Sequence, residues 1–286
     1  MQDRPLAGIL LLTFAMLCFS SMDGATKLLG ETHHWTQVAF ARYLFQLLFL
    51  MPMFIAAGWG VWRSVEPWRQ TARGIGLLLS GVFFIIALGH LPIAEATAIG
   101  FVSPMMMTAL AVPLLSEKVG WRRWSAVLIG FCGVLIVVRP GGGGFGWSAI
   151  WPVLSAAAWA LGLVLTRKMR AGDSPATMLF YTAVVSLALA ILAAPFAWQP
   201  APLSWWLIAA LMGAFCALGQ YLLIRAFQLA PASVLAPLNY TQMVWSPLIG
   251  LVLFAAWPDR WTWIGAAVII ASGIYIAHRE ARLKSG

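Results

Sequence analysis

The segment LGHLPIAEATAIGFVSPMMMTALAVPLL, residues 88–115, is apolar over most of its length but contains a histidine, a glutamate and three prolines. A run of about 18 or more apolar residues is long enough to cross the hydrocarbon core of a bilayer as a helix. A helix also satisfies its own backbone hydrogen bonds, which lipid cannot do. Residues 94–115 are therefore predicted to span a membrane, with polar side chains at membrane depth.

The rest of the chain has the same character. Of its 286 residues, 62% are hydrophobic and only 9% are charged, whereas soluble proteins carry about 25% charged residues. The first apolar run, residues 6–29, is too long for the core of a secretory signal peptide and is predicted to be a retained helix. Long apolar runs indicate helices, because a membrane β-barrel would show alternating segments of about 10 residues. The chain is predicted to be an all-α membrane protein.

Ten membrane-spanning helices are predicted, and the basic residues orient them. The spans lie at residues 6–28, 37–58, 74–91, 94–115, 124–139, 147–166, 175–197, 204–227, 232–256 and 261–278. With a cytoplasmic N-terminus, 14 of the 18 Lys and Arg residues fall on the cytoplasmic side. The positive-inside rule then places both termini in the cytoplasm and the protein in the inner membrane. The net charge of +9 therefore needs no nucleic-acid partner.

The two halves of the chain resemble each other. WSAVLIGFCGVLIVVR (124–139) parallels WIGAAVIIASGIYIAHR (263–279), and LPIAEATAIGFVSPMM (91–106) lies over LAPASVLAPLNYTQMV (229–244) at a constant offset. The glycine-rich segment 139–147 separates the halves as a linker. Because each half has five helices, an odd number, the second must enter the membrane from the opposite side. Residues 1–140 and 141–286 are predicted to form an inverted 5+5 repeat, with a substrate site near the midplane between them.

Two motifs carry a resemblance to a known family. The element E-K-x-G-W-x-x-W…G-x-x-G-V-L-I at Glu117–Ile136 and the segment SAAAWALGLVLTRK at Ser155–Lys168 resemble EamA-type members of the drug/metabolite transporter superfamily, over essentially the whole chain. The second half departs from the pattern, because Gln242 stands opposite Pro104. In overall character the chain is most similar to the aromatic amino-acid exporters. The resemblance implies export of an amino acid, aromatic or otherwise apolar, by alternating access.

Two ionisable residues flank the short turn between the third and fourth predicted spans. His90 lies at the outer end of the third span and Glu95 at the start of the fourth. Imidazole can donate and accept hydrogen bonds and can change charge near neutral pH, which suits carboxylate binding or proton relay. His90 is therefore predicted to face the substrate cavity. Glu95 is predicted either to face the same cavity or to cap the external turn.

Prolines are predicted to interrupt the fourth and ninth spans. Pro104, after Ser103, removes a backbone hydrogen bond and is predicted to kink the middle of the fourth span. Such discontinuities often border the binding site of a transporter. Met107, a flexible apolar side chain on the same segment, is a candidate surface for the substrate. Pro237 is the corresponding pivot in the ninth span.

Three charged residues occur in the first two spans. Asp23 and Lys27 are four residues apart, a spacing that predicts an ion pair on one helix face. A substrate or proton role for this pair is the alternative. Arg42 would either pair with Asp23 or hold a substrate carboxylate through two parallel N–H groups.

The second half contributes the most polar intramembrane run, LNYTQMVW at residues 238–245. Exposure of all its polar side chains to lipid is implausible, and residues three apart share a helix face. The candidate binding residues of this half are Asn239, Tyr240 and Gln242, together with Gln220 and Trp159. Hydrogen bonding between helices and simple packing are the alternatives, and Trp159 is a candidate for stacking on an aromatic substrate.

Several other classes of protein are disfavoured. The four histidines show no HExxH spacing and the three cysteines form no CxxC pair. Neither a metal nor another cofactor is therefore expected, and an intramembrane enzyme is a less favoured alternative. The alternative substrates are a nucleotide-like cofactor or a sugar, although phosphate would need more cations than Arg42 provides. A sensor without transport would not need a polar cavity. Uniport and proton coupling both remain open, since Asp23 and Glu95 are the few carboxylates at membrane depth.

Overall fold

The computed structural model describes residues 5–115, 120–139, 146–169, 173–230 and 232–284. All regular structure in these residues is helical. The α-helices are α1 (Pro5–Gly30), α2 (Trp35–Ala57), α3 (Pro67–His90), α4 (Ile93–Gly100), α5 (Ser103–Leu115), α6 (Trp121–Val138), α7 (Ile150–Lys168), α8 (Pro175–Ala193), α9 (Leu203–Leu229), α10 (Ala232–Leu235), α11 (Gln242–Phe254) and α12 (Arg260–Lys284). Short 3-10 segments occupy Trp59–Trp62, Gly146–Ala149, Ala194–Ala197 and Ala236–Thr241.

Each of the ten predicted spans corresponds to one helix or to a broken helix. The fourth span consists of α4 and α5, and the ninth consists of α10, a 3-10 segment and α11. Within the described residues, seven helical stretches are long and apolar enough to cross a membrane, and one of them consists of α4 and α5 together. Shorter apolar stretches occur in α6 and α12. The prediction of an all-α membrane protein is confirmed. The inverted relation of the halves and the cytoplasmic position of the termini stay predictions.

The fourth span is broken rather than kinked. Helix α4 ends at Gly100, where the backbone N–H of Phe101 bonds to the carbonyl of Thr97 at 3.1 Å. Helix α5 begins at Ser103, so Pro104 lies in its first turn. Proline is well tolerated there, because an N–H in the first turn has no partner within the helix. The predicted mid-helix kink at Pro104 is therefore wrong, and this residue starts a second helix.

The ninth span is broken at a comparable depth. A 3-10 segment that contains Pro237 separates α10 from α11, and α11 begins at Gln242. Tyr240, at the end of this segment, is buried against Phe101, with ring centroids 5.1 Å apart. Its hydroxyl also contacts Gly273 of α12 so closely that no larger residue would fit. Tyr240 is thus a packing residue in this conformation, and its predicted role in substrate binding stays a prediction.

The packing core lies between the two halves of the chain. The most extensive helix pairs are α1 with α9, α3 with α7, α6 with α12, α2 with α8 and α9, α3 with α8, α5 with α7, and α1 with α11. Every one of these pairs joins a helix from residues 1–140 to a helix from residues 141–286. The two five-helix sets therefore interdigitate, and their interface passes through the centre of the molecule.

Small residues allow α6 and α12 to approach closely. A Cβ atom built at Gly265 would lie 2.6 Å from the carbonyl oxygen of Gly133, and one built at Gly133 would lie 3.0 Å from the carbonyl oxygen of Gly265. Lipid provides little hydrophobic force between helices, so close backbone packing is a main source of their association. Ser272 adds a hydrogen bond of 3.1 Å from its hydroxyl to the carbonyl of Ala126.

Candidate substrate-binding site

The break in the ninth span brings Gln242 to the buried face of α1. Its side-chain amide Nε2 donates a hydrogen bond to Oδ2 of Asp23 at 3.2 Å. Asp23 is only 2% exposed, and its neighbour on the same helix, Ser20, contacts the hydroxyl of Ser246 on α11 at 3.2 Å. Polar groups at membrane depth are costly and commonly serve function. This contact therefore marks the centre of the candidate site.

A second part of the site comes from α2 and α9. The thiol of Cys216 lies close to the side chains of Arg42 and Gln220. The Nε and Nη1 atoms of Arg42 are buried without a hydrogen-bond partner. Arg42 and Asp23 are close enough to interact electrostatically. Within the described part of the chain, however, no ion pair joins them, so both alternatives for Arg42 stay open at this point. We call Asp23, Arg42, Cys216, Gln220 and Gln242 the polar cluster.

Lys27 lies one turn from Asp23 on α1, but it bonds to the end of α3 and not to the polar cluster. Its Nζ donates to the carbonyls of Leu88 at 2.7 Å and Leu91 at 2.8 Å, and it lies 5.6 Å from the ring centroid of Phe254. The last carbonyls of a helix have no partner within the helix and attract cations. The predicted ion pair between Asp23 and Lys27 is therefore wrong, because Lys27 instead caps the end of α3.

Glu95 is buried in the first turn of α4. It is 6% exposed, and its Oε2 atom has no hydrogen-bond partner. Lys27, Arg139 and Asp259 are its charged neighbours. Arg139 and Asp259 form an ion pair of 2.5 Å between the end of α6 and the segment before α12. Because Glu95 makes no hydrogen bond with the external turn, its predicted capping role is not seen, and it lies among charges at the predicted outer end.

The other candidates divide into exposed and half-buried residues. His90 is the last residue of α3 and is exposed, and its predicted position in the substrate cavity stays a prediction. Trp159 is 45% exposed on α7 and makes none of the contacts that build the polar cluster. Ser103, Met107 and Asn239 are half-buried beside the two helix breaks.

Cys216 is the site residue that the sequence interpretation missed. A single cysteine in an apolar helix is usually a packing residue. Cys216 and Gln220 are four residues apart, which places their side chains on one helix face. This spacing was the only feature of the sequence that could have pointed to Cys216. Its contact with Arg42, a residue on another helix, could not be read from spacing.

At the predicted cytoplasmic end, Asp173 joins two connecting segments. It accepts hydrogen bonds from the hydroxyl of Ser64 at 2.5 Å, the backbone N–H of Val65 at 2.9 Å and the side-chain amide of Gln70 at 2.7 Å. Partial burial raises the pKa of Asp173, but these hydrogen bonds outweigh it, and the pKa lies below its ordinary value. The start of α3 is thereby fixed to the segment before α8.

Comparisons with known proteins define the class of this fold. The model of the EamA-like transporter family matches residues 6–139 and again residues 146–277. The chain belongs to the EamA-like transporter family, within the drug/metabolite transporter superfamily. It is a multi-pass membrane transporter of the inner membrane and not an enzyme.

Three relatives illustrate the range of solutes within this class. The chain is 29% identical to the S-adenosylmethionine uptake transporter of Rickettsia bellii, over 95% of this chain and 93% of that protein. It is 30% identical to the riboflavin transporter of Rhizobium johnstonii, over 98% and 94%. It is 26% identical to the pseudopaline exporter of Pseudomonas aeruginosa, over 96% and 97%. These names do not support the expected similarity to aromatic amino-acid exporters at the level of the substrate.

A solved structure, described only as the crystal structure of a protein, has the same fold. Its TM-score is 0.66 at 20% sequence identity, and the match covers 96% of this chain and 97% of that chain. At this identity the likeness concerns the fold alone.

Proposed function

We propose that the protein carries a small organic metabolite across the inner membrane by alternating access, with the polar cluster at the centre of its binding site. The observation that carries this proposal is the contact of Asp23 with Gln242 and its proximity to Arg42. These three residues come from α1, α11 and α2, so both halves of the chain contribute to one buried polar region. A transporter that moves its halves about a central site needs such shared contacts.

The two halves, residues 1–140 and 141–286, are proposed to be inverted repeats. In a 5+5 repeat, adding or subtracting five converts each span number into that of its counterpart in the other half. The helix pairs support the proposal, because this operation converts every principal contacting pair into another contacting pair or into itself. The pair α1–α9 joins spans one and eight, and α3–α7 joins spans six and three. The operation also converts α2–α9 into α3–α8, and α5–α7 into α1–α11. It converts α6–α12 and α2–α8 into themselves, because their members are counterparts in the two halves.

The described conformation is proposed to be closed at the outer side. Three contacts support this: α4 packs against α11, Lys27 joins α1 to the turn after α3, and Arg139 pairs with Asp259. The other half of the fourth span, α5, packs instead against α6, α7 and α12. A substrate would then reach the polar cluster from the cytoplasm, between α5 and α1. Cytoplasmic entry is the first step of export, the direction expected from the sequence.

The preferred substrate class is a nucleoside-like or flavin-like cofactor. The names of the relatives from Rickettsia and Rhizobium favour it over a free aromatic amino acid. A free amino acid is the second candidate, because Arg42 and Asp23 offer complementary charges to its two ionised groups. Neither candidate needs several phosphate groups, whose negative charges Arg42 alone could not pair.

Transport in proteoliposomes tests the function. Purified protein is assayed with labelled S-adenosylmethionine, riboflavin, methionine and phenylalanine, in both directions and with or without a pH gradient. We expect saturable movement of at least one solute and its loss in Gln242→Leu, with Gln228→Leu as a matched control at an exposed position of α9. Folded protein that moves no solute above empty liposomes would overturn the proposal. Acceleration by the gradient would assign proton coupling, with Asp23 and Glu95 as the candidate carriers.

A further inference from the structure

The guanidinium of Arg42 has buried donors without hydrogen-bond partners. Its Nε and Nη1 groups are buried without hydrogen-bond partners, although the residue as a whole is only half-buried. The thiol of Cys216 lies beside this side chain, and the ring centroid of Tyr43 lies 5.8 Å from the Cζ atom of Arg42. A guanidinium presents parallel N–H donors that match the two oxygens of a carboxylate. Leaving charged donors unpaired is costly, so a partner of opposite charge is expected in the transport cycle.

Two other cations on the membrane-spanning helices have partners of their own. Lys27 donates to two carbonyls at the end of α3. Arg73 donates to the hydroxyls of Thr166 at 2.7 Å and Thr182 at 2.8 Å, and to the carbonyl of Met178 at 3.1 Å. The contrast shows that cations on α1 and α3 are satisfied by the fold itself. Unlike Lys27 and Arg73, Arg42 thus keeps two buried donors without partners.

Asp23 offers the complementary charge. Its Oδ2 atom accepts the hydrogen bond from Gln242, and Oδ1 takes part in no hydrogen bond within the described residues. An ammonium group carries three donors and pairs readily with a carboxylate oxygen. Although Asp23 and Arg42 interact electrostatically, no ion pair joins them. A ligand that carries both charges would complement the charges of these two residues.

We propose that the site recognises solutes with an α-amino carboxylate head group. The carboxylate pairs with Arg42 and the ammonium pairs with Asp23, while the rest of the solute lies toward the two helix breaks. This inference rests on the proposed function and refines it, because it selects solutes of the S-adenosylmethionine or amino-acid type over riboflavin, which has no carboxylate. A solute without the head group would leave both protein charges unpaired, and a site built for polar groups strongly rejects such analogues.

A matched pair of competitors tests the inference without altering the protein. S-adenosylhomocysteine and 5′-methylthioadenosine share the adenosyl group and the thioether, but only the first has the α-amino carboxylate. Each competes against the solute that the wild type transports. We expect S-adenosylhomocysteine to bind at least about 30-fold more tightly, since loss of a buried charge pair has an effect of this order. Equal competition by the two compounds, or transport of riboflavin with no competition by S-adenosylhomocysteine, would overturn the inference and leave the transport function intact.

Variants then separate ligand binding from structural support. Arg42→Gln should weaken S-adenosylhomocysteine to the level of 5′-methylthioadenosine and leave the latter unchanged, whereas a structural role would weaken both. Arg69→Gln, at a cytoplasmic arginine that pairs with Glu66 at 2.7 Å, is the control and should preserve the preference. If Arg42→Gln does not fold, the wild-type comparison decides alone. Absence of saturable transport of any solute by the folded wild type would instead contradict the proposed function.

Discussion

Gln242, the first residue of α11, donates a hydrogen bond to Asp23 in α1 across 219 positions of sequence. The two residues belong to different halves of the chain, and both lie at membrane depth. The bond therefore joins the halves at the point where a transporter must rearrange them. Its strength is expected to influence both stability and the transport cycle.

Removal of this bond should be measurable. Gln242→Leu leaves the buried Asp23 carboxylate without its donor, and such a loss costs about 1–3 kcal/mol in the free energy of unfolding. The midpoint of reversible unfolding in detergent measures the change. Gln228→Leu, an exposed substitution of the same kind, should shift the free energy by less than about 0.5 kcal/mol. Equal effects of the two substitutions would contradict a special role for the bond.

The cap on α3 makes a second prediction. Lys27→Met removes two charge-assisted hydrogen bonds to the carbonyls of Leu88 and Leu91, each worth about 1.5–3 kcal/mol when buried. We expect a lower Tm and greater reactivity of a cysteine introduced at the exposed His90. Arg260→Met, at an exposed cation beside Trp261, is the control. An unchanged Tm and unchanged reactivity would show that the cap does not hold the outer end closed.

The contact between α6 and α12 predicts a steric effect. Gly265→Ala places a methyl group 2.6 Å from the carbonyl oxygen of Gly133, which the backbone cannot accommodate without a shift. Overpacking of this kind costs about 1–3 kcal/mol. Gly89→Ala is the matched control, because no atom lies within 4 Å of its added methyl group. Thermal unfolding of the two variants provides the comparison, and equal Tm values would contradict close packing at Gly265.

Asp173 predicts a dependence of stability on pH. Its three hydrogen bonds outweigh partial burial and lower the pKa of the folded state from the ordinary value of 3.8. A lowered pKa stabilises the fold above the unfolded-state value, and this stabilisation is lost as the pH falls through the folded-state value. The Tm should thus decrease below about pH 4 more steeply in the wild type than in Asp173→Asn. Parallel pH profiles would contradict the prediction, and the exposed Glu31→Gln provides the control.

The sequence predicted the spans well because the bilayer leaves few alternatives to long apolar helices. It also named Asp23, Arg42 and Gln242 as candidates, but not the contact between Asp23 and Gln242. Contacts between helices that are far apart in the sequence could not be predicted as well. The spacing of Asp23 and Lys27 favoured a local ion pair, but the free carbonyls at the end of α3 lie closer to Lys27. Hydropathy likewise does not distinguish a kink at Pro104 from the start of a new helix, since both leave the span apolar.

The position of the packing core has a consequence for biosynthesis. Because the principal helix contacts join residues 1–140 to residues 141–286, the first five helices leave the ribosome before their packing partners exist. Inserted helices remain stable in lipid, since their backbone hydrogen bonds are already made. Most of their contacts with other helices form only after the second five helices have entered. Two separately encoded halves should consequently each insert, yet assemble into a compact, protease-resistant protein only when they are produced in the same cell.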